Sequence, residues 1–227
     1  MKVSGVFYSI SGEGIHVGIP TVFIRLAGCD LDCTWCDTRY AQKPEQGEEV
    51  DVTDVMKRVR GFKNDGWVLI TGGNPLCQMG AVRDLVNALK AGRYLVEVEE
   101  NGSIDPPEWS MLVDSWSVDV KCPSSGPSYG TFRRRWLTRL RKQDQLKFVV
   151  GTQEDLNFVR GFLNGARLRP TILISPIVDW EVYHDIDPAL RGLQLEWLQE
   201  VAEFCKELSV RMSLQLHRII WENKEGV

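Results

Sequence analysis

Apolar residues in this chain gather into short runs of strand length, separated by stripes with helical spacing. Residues 3–9 form a first apolar and aromatic run, and residues 21–26 a second that is rich in β-branched side chains; both predict strands. Runs at 67–71, 94–99, 115–120, Gln145–Val150, 171–175 and 210–216 read the same way, with Pro176 stopping the 171–175 run. In the 94–99 run, Glu97 and Glu99 fall on one side, and Asn101-Gly102 forms the turn after it. Between these strands, Asp51 or Thr53 caps a helix predicted over Val52–Arg60, and Met79–Ala91 reads as a helix closed by Gly92. Thr152 with Asp155 opens another helix in capping-box fashion. A long helix over Pro188–Leu208 places Leu193, Leu195, Trp197, Leu198, Val201 and Phe204 on its apolar side. One helical turn is predicted at 109–113, and a loop at 42–49 around Pro44 and Gly47.

Strands therefore alternate with helices about six times, with no antiparallel meander, which predicts parallel βα units wound right-handedly. Several helical segments are too short for a full eight-fold barrel. The expected fold is α/β: a reduced, open (β/α) partial TIM barrel of about six parallel strands, with chemistry at their C-terminal ends. No repeat, low-complexity stretch or linker interrupts residues 1–227, so a single domain is expected.

Composition adds limits. A chain of 227 residues with 43% hydrophobic and 26% charged residues has the makeup of one globular domain with a sizeable core. A net charge of −4 gives no general attraction for nucleic acid. The basic run Arg133, Arg134, Arg135, Arg139, Arg141 and Lys142 is interleaved with Trp136, Leu137 and Leu140, and predicts the solvated face of an amphipathic helix. No signal peptide or membrane-length apolar stretch is visible, so a cytoplasmic protein with reduced thiols is expected. Cys77, Cys122 and Cys205 are isolated and read as small buried hydrophobes.

The chemistry is concentrated just after the second strand, where Cys29, Cys33 and Cys36 follow a C-x3-C-x2-C spacing. Asp30, Asp32 and Thr34 between them spoil any apolar pattern, so the thiols are not ordinary core residues. Thiolates so spaced can converge on a soft metal centre, and three of them leave one coordination position open. Zinc held by the same thiols with His16 or Asp37 is the competing reading.

Cysteines at this spacing, followed by a strand and glycine-rich turns, resemble the radical S-adenosylmethionine superfamily. The ordered stretches Ser-Gly-Glu-Gly (11–14), Phe-Ile-Arg-Leu-Ala-Gly-Cys (23–29), Trp-Cys-Asp-Thr (35–38), Thr-Gly-Gly-Asn-Pro (71–75), Val-Lys-Cys-Pro-Ser-Ser-Gly (120–126) and Gln-Leu-His-Arg (215–218) narrow this further. They are similar to the 7-carboxy-7-deazaguanine synthase family, from about residue 5 to the tail. The resemblance implies a 4Fe–4S cluster on Cys29, Cys33 and Cys36, S-adenosylmethionine on its unique iron, and a magnesium ion at Thr38. The implied reaction is that of a carbon–nitrogen lyase. A 5′-deoxyadenosyl radical takes a hydrogen from C6 of 6-carboxy-5,6,7,8-tetrahydropterin, the ring contracts to 7-carboxy-7-deazaguanine, ammonia leaves, and S-adenosylmethionine is regenerated. The product would feed queuosine or archaeosine synthesis. Also implied are a homodimer and a reducing partner such as a flavodoxin or ferredoxin, with neither nucleic acid nor membrane as a direct partner.

By the same resemblance, Ile10, Ser11, Gly12, Glu13, Arg25, Thr71 and His217 would contact substrate. Trp35, Cys36, Asp37, Gly73, Asn74, Asp119, Val120, Lys121 and Ser175 would contact S-adenosylmethionine. Several of these types suit the task. Glu13 on a glycine-flanked turn offers in-plane acceptors to a pterin edge, and the alternative is a solvated loop acid. Arg25 interrupts an apolar strand and needs an anion, either the substrate carboxylate or an internal partner such as Glu97 or Glu99. Asp37 and Thr38 read as hard-oxygen donors or as a helix cap, and His217 as a ligand or a satisfied core residue. Most of the superfamily carries Glu where this chain has Asn74. Some family members end in an apolar-Pro terminus whose carboxylate reaches the substrate, whereas this chain continues through Trp221 to Val227. A glycyl-radical activase and a non-catalytic zinc module are the competing functions.

Overall fold

Strand-forming runs dominate the first half of the chain, and their pairing sets the architecture. The computed structural model of the protein describes residues 1–63, 66–179, 188–221, 224 and 226, with 188–191 as backbone. Its strands are β1 (Lys2–Ile10), β2 (Pro20–Leu26), β3 (Glu48–Glu49), β4 (Trp67–Gly72), β5 (Leu95–Glu100), β6 (Ser115–Lys121), β7 (Gln145–Val150), β8 (Thr171–Pro176) and β9 (Arg211–Met212). The helices are α1 (Val52–Arg60), α2 (Met79–Ala91), α3 (Trp136–Arg139), α4 (Gln153–Leu163), α5 (Pro188–Leu208) and α6 (Leu216–Trp221). All the strands join one open sheet in the order β3-β1-β2-β4-β5-β6-β7-β8-β9. From β2 through β9 every pairing is parallel. The result is the expected open partial barrel, one parallel strand longer than the sequence suggested.

Three elements depart from expectation. The opening run is not a parallel unit: β1 pairs antiparallel with both β2 and β3, because the connection from Ile10 to Pro20 is too short for a crossover. The last run, read as a strand over 210–216, is a strand only at Arg211–Met212. Leu216, Ile219 and Ile220 also fit a helical period, and the chain turns into α6 there, so His217 sits on a short helix rather than on a strand. The basic segment is helical only over Trp136–Arg139. Its arginines are drawn off instead: Arg133 Nε donates to the Ser103 carbonyl, and Arg141 pairs with buried Asp144.

Smaller details also differ. Asp51, not Thr53, caps α1 through the Asp54 N–H. After α2, the left-handed conformation falls on Arg93 (φ 64°) rather than Gly92. Cys122 and Cys205 are buried as expected, but Cys77 is exposed on the turn Pro75–Gln78. On α5, Val201 and Phe204 are buried while Leu193 and Leu195 face outward. Tail residues 222, 223, 225 and 227 lie outside the described residues, and among the described residues no helix is long and apolar enough to cross a membrane.

Strict alternation along the parallel strands separates two faces. Val22, Ile24, Val68, Ile70, Val96, Val98, Trp116, Val118, Leu146 and Phe148 point outward into a continuous core. The helices cover it with Val55 and Val59 of α1, Leu85 and Leu89 of α2, Leu156 and Val159 of α4 and Val201 of α5. The intervening residues face inward and most are polar: Arg25, Thr71, Glu97, Glu99, Ser117, Asp119, Lys121, Gln145 and Lys147 line one cavity together with the apolar Phe23, Leu69 and Val149. A sheet with one apolar and one charged face must shield the charged face from bulk solvent or fill it with a ligand.

Asp155 shows how the helices fix loops at this end of the sheet. It begins α4, is fully buried, and accepts from the N–H groups of Thr152, Gly151 and Ser124. Ser124 in turn accepts from Trp35 Nε1 at 3.1 Å. Asp155→Ala strands three backbone donors and should lower unfolding free energy by about 3 kcal/mol in chemical denaturation. It should also loosen the seat of Trp35, read as a red-shifted component in tryptophan emission.

Candidate active site

The inward face encloses a cavity of about 800 Å³ at the C-terminal ends of the parallel strands. The turn after β1 closes over it. Gly14 N donates to Ser213 Oγ (2.9 Å), Ile15 N to Gln145 Oε1 (2.9 Å), and Leu216 N to the Gly12 carbonyl (2.7 Å), tying that turn to β7 and to the far edge of the sheet. His16 anchors it from below by bonding Glu97 and stacking on Trp67 at 4.0 Å. His16 is thereby committed to the sheet, away from the role of a fourth metal ligand.

The thiols lie on a loop whose backbone is gripped from both sides. Gly28 N and Cys29 N donate to the carbonyls of Ala41 and Gln42, and Thr34 N donates to the Ser125 carbonyl. Cys29, Cys33 and Cys36 are free and all line the cavity. Burial raises the pKa of Cys29 and Cys36, so a metal centre that takes them as thiolates must displace their protons. Among the described residues, no three Cys, His, Asp or Glu side chains meet at a point that would hold a single metal ion. Soft thiol donors spread along one loop suit a multi-iron cluster, whose metals are distributed over separate sulfurs. Beside them, Thr38 Oγ1 donates to Asp37 Oδ1 (2.9 Å) and accepts from Arg25 Nη1 (3.1 Å), so its hydroxyl caps no helix. Two hard oxygens thus sit together next to the thiols.

Every residue named from the sequence lines this cavity except two. Asn74 is fully buried: its Nδ2 donates to Asp30 (2.8 Å) and Asn101 (3.1 Å), and its Oδ1 accepts from Leu76 N. Its amide is spent on holding the loop, and Glu100 and Asn101 line the cavity there instead. Val120 alternates outward into the core, leaving Asp119 and Lys121 to face the site. Lys121 pairs with Asp119 at 2.7 Å and lies 5.3 Å from the Trp35 ring centre.

Among the described residues, neither Glu97 nor Glu99 forms a direct ion pair with Arg25, although the Arg25 charge acts on Glu99. Glu97 binds His16 and Gln145, and Glu99 binds Lys147 and Thr71. The guanidinium lies between Phe7 and Tyr40, and its Nε is buried without a hydrogen-bond partner. Burial of a cation in this state leaves room for an anionic ligand.

The sequence reading missed the residues that set the charge balance. Lys147 and Glu99 form an ion pair at 2.6 Å, and Lys147 also reaches Glu13 at 3.3 Å. Burial acts to raise Glu99, yet Lys147, Thr71 and Arg25 hold its carboxyl down to about 2. Burial dominates at Glu13 and pushes it up to about 7 despite Lys147. Period-two alternation within 115–121 and Gln145–Val150 was the available signal: Asp119 and Lys147 occupy matching inward positions and pair in register.

The Glu13 shift has a sign that can be tested. The folded chain holds that proton more tightly than the unfolded chain, so the group stabilises the fold at low pH. This contribution is lost as pH rises from about 4.5 towards about 7. Relative to wild type, Glu13→Gln should gain stability between pH 4 and pH 8. With 22% of the side chain exposed, the gain should be about 1–2 kcal/mol in parallel thermal melts.

Comparisons with known proteins agree with this geometry. Residues 23–119 match the radical SAM superfamily. The 7-carboxy-7-deazaguanine synthase of Methanospirillum hungatei is 35% identical over 223 residues, covering 97% of this chain and 85% of its own. The enzyme of the same name from Thermoplasma acidophilum is 34% identical, covering 100% of both. The crystal structure of QueE from Escherichia coli shares the fold, with a TM-score of 0.64 at 20% identity, covering 95% of this chain and 94% of that one.

Proposed function

The chain belongs to the 7-carboxy-7-deazaguanine synthase family of the radical S-adenosylmethionine superfamily, and from that premise we propose that it converts 6-carboxy-5,6,7,8-tetrahydropterin to 7-carboxy-7-deazaguanine with release of ammonia. Family membership displaces both the activase and the zinc-module readings. The observation that carries the substrate assignment is Arg25, a guanidinium on the cavity wall that acts on Glu99 only through space, with no carboxylate at ion-pair distance among the described residues and an Nε without a hydrogen-bond partner. A planar fork of this kind suits the substrate carboxylate. The turn 10–13 would meet the pterin edge with backbone groups and the Glu13 carboxylate, while Thr71 and His217 bound the ring from β4 and α6.

Cys29, Cys33 and Cys36 would hold the cluster, and together with S-adenosylmethionine it supplies one-electron cleavage of a C–S bond to give the initiating radical. The chain's own contribution is placement and exclusion of water. Trp35, Asp37, Gly73, Asp119, Lys121 and Ser175 are the groups at hand for the nucleotide; Asn74 and Val120 would act only through backbone or loop shape. Thr38, with Asp37 beside it, would take the magnesium ion, whose remaining sites go to water and substrate. We read the chain as a single cytoplasmic domain that acts as a homodimer with a flavodoxin- or ferredoxin-type reductant and without nucleic acid.

Anaerobically reconstituted, reduced protein given S-adenosylmethionine, magnesium and the carboxypterin should form the deazaguanine acid. An intact cluster that cleaves S-adenosylmethionine but leaves the pterin unchanged would overturn the substrate assignment. Arg25→Met should weaken carboxypterin binding about 100-fold, the loss of a bidentate charged contact, while affinity for pterin lacking the carboxylate stays unchanged in equilibrium titrations.

A further inference from the structure

Lys147 has no part in the roles above, yet it sits on the cavity floor with its side chain 6% exposed. Its Nζ meets Glu99 Oε1 at 2.6 Å, Glu13 Oε2 at 3.3 Å and Asp119 Oδ1 at 3.4 Å. These carboxylates come from three elements that are far apart in sequence. Two have further partners: Glu99 accepts from Thr71 Oγ1 at 2.8 Å, and Asp119 from Lys121 Nζ at 2.7 Å. Among the described residues, Glu13 has no cation within ion-pair distance other than Lys147.

A lysine buried on a parallel strand carries a large desolvation cost that only well-placed anions offset. We propose that Lys147 is a positioning residue of the substrate pocket, whose ammonium, shared by Glu99 and Asp119, keeps Glu13 an aimed carboxylate acceptor for the N–H edge of the bound heterocycle. The proposal rests on the pterin reading of the cavity. The chemistry is direct. Burial favours the neutral acid, whose O–H would meet ring N–H donors donor-to-donor, whereas the ionised group accepts from two of them at once. The other charged groups around the pair are Asp37 on the cysteine loop, Arg25 on β2, Lys121 on β6 and His217 on α6.

The test is binding of 6-carboxypterin, an oxidised fluorescent analogue. The protein is cluster-loaded, supplied with S-adenosylmethionine and no reductant, and titrated over about pH 6 to 9. Comparing proteins at each pH cancels the ligand's own ionisation. Wild-type affinity should fall on the acid side with a midpoint near 7. Lys147→Met should raise that midpoint by about one unit or more. Binding near neutrality should then be weaker by about fivefold or more, with recovery in alkali. The double variant Lys147→Met/Glu99→Gln removes the lysine together with its nearest counter-charge, and should show an upward shift smaller than that of the single variant, because Glu99 itself pushes Glu13 up, if the single variant folds poorly. An unchanged midpoint in both variants overturns the role of Lys147, as does a loss of affinity equal at every pH. Wild-type protein that fails to bind the pterin at any pH overturns the substrate reading itself.

Discussion

The site depends on a contact between bare stretches of backbone. Gly72 and Gly73, at the end of β4, lie against the chain leaving β2 so closely that a Cβ on Gly72 would fall 2.0 Å from the Leu26 carbonyl oxygen, and one on Gly73 2.2 Å from that of Gly28. Gly72 also has φ of 129°, which side chains disfavour. In exchange, Gly73 N and Asn74 N donate to the carbonyls of Leu26 and Gly28 at 3.0 and 2.8 Å. The cysteine loop is thereby fixed to the sheet by main-chain bonds, with Asp30 adding side-chain bonds to Asn74, Asn101 and Ser103, and its thiols are left lining the cavity.

The second requirement is electrostatic. An inward face carrying Glu13, Glu97, Glu99, Asp119, Lys121 and Lys147 is costly unless each charge has a partner placed before the ligand arrives. Register supplies one of these pairs, Asp119 opposite Lys147 on neighbouring strands, while Lys121 pairs with Asp119 along one strand and Lys147 reaches two strands over to Glu99. Glu97 is satisfied by His16 and Gln145 and so serves the turn above it rather than the ligand. Arg25 stands outside these ion pairs, with its Nε buried and unbonded, although its charge still acts on Glu99.

Much of this was legible in the residues. C-x3-C-x2-C after a β-branched run, TGGN after the next strand and an acid–lysine pair after a third each fell at a strand end. In a parallel sheet that is enough to bring them together. Lys147 was not legible, because one lysine in Gln-Leu-Lys-Phe-Val-Val looks like an exposed residue on an edge strand until both sheet faces are known. Asn74 was misread for the opposite reason. A short amide beside Asp30 and Asn101 finds internal partners and turns away from the cavity. The tail failed on period: Leu214 and Leu216 alternate like a strand, while Leu216, Ile219 and Ile220 repeat like a helix, and the bond from Leu216 N to Gly12 decides for the turn.

That last bond shows why the site cannot be divided. The turn at 11–16 is held by Ser213, Gln145, Glu97 and Leu216, partners separated from it by 199, 130 and 81 residues in the first three cases. Two of these bonds, to Ser213 and Leu216, reach past β9, so the turn over the cavity is complete only with the whole sheet. The thiol loop is held by β2, β4, the segment at 39–42 and the turn after β6, where the Ser125 carbonyl accepts from Thr34 N. The thiols thus depend on the part of the sheet from β2 to β6, whereas the turn at 11–16 depends on its far edge as well. Damage at the open edge near β9 would therefore strike the turn at 11–16 first and leave the thiols in place.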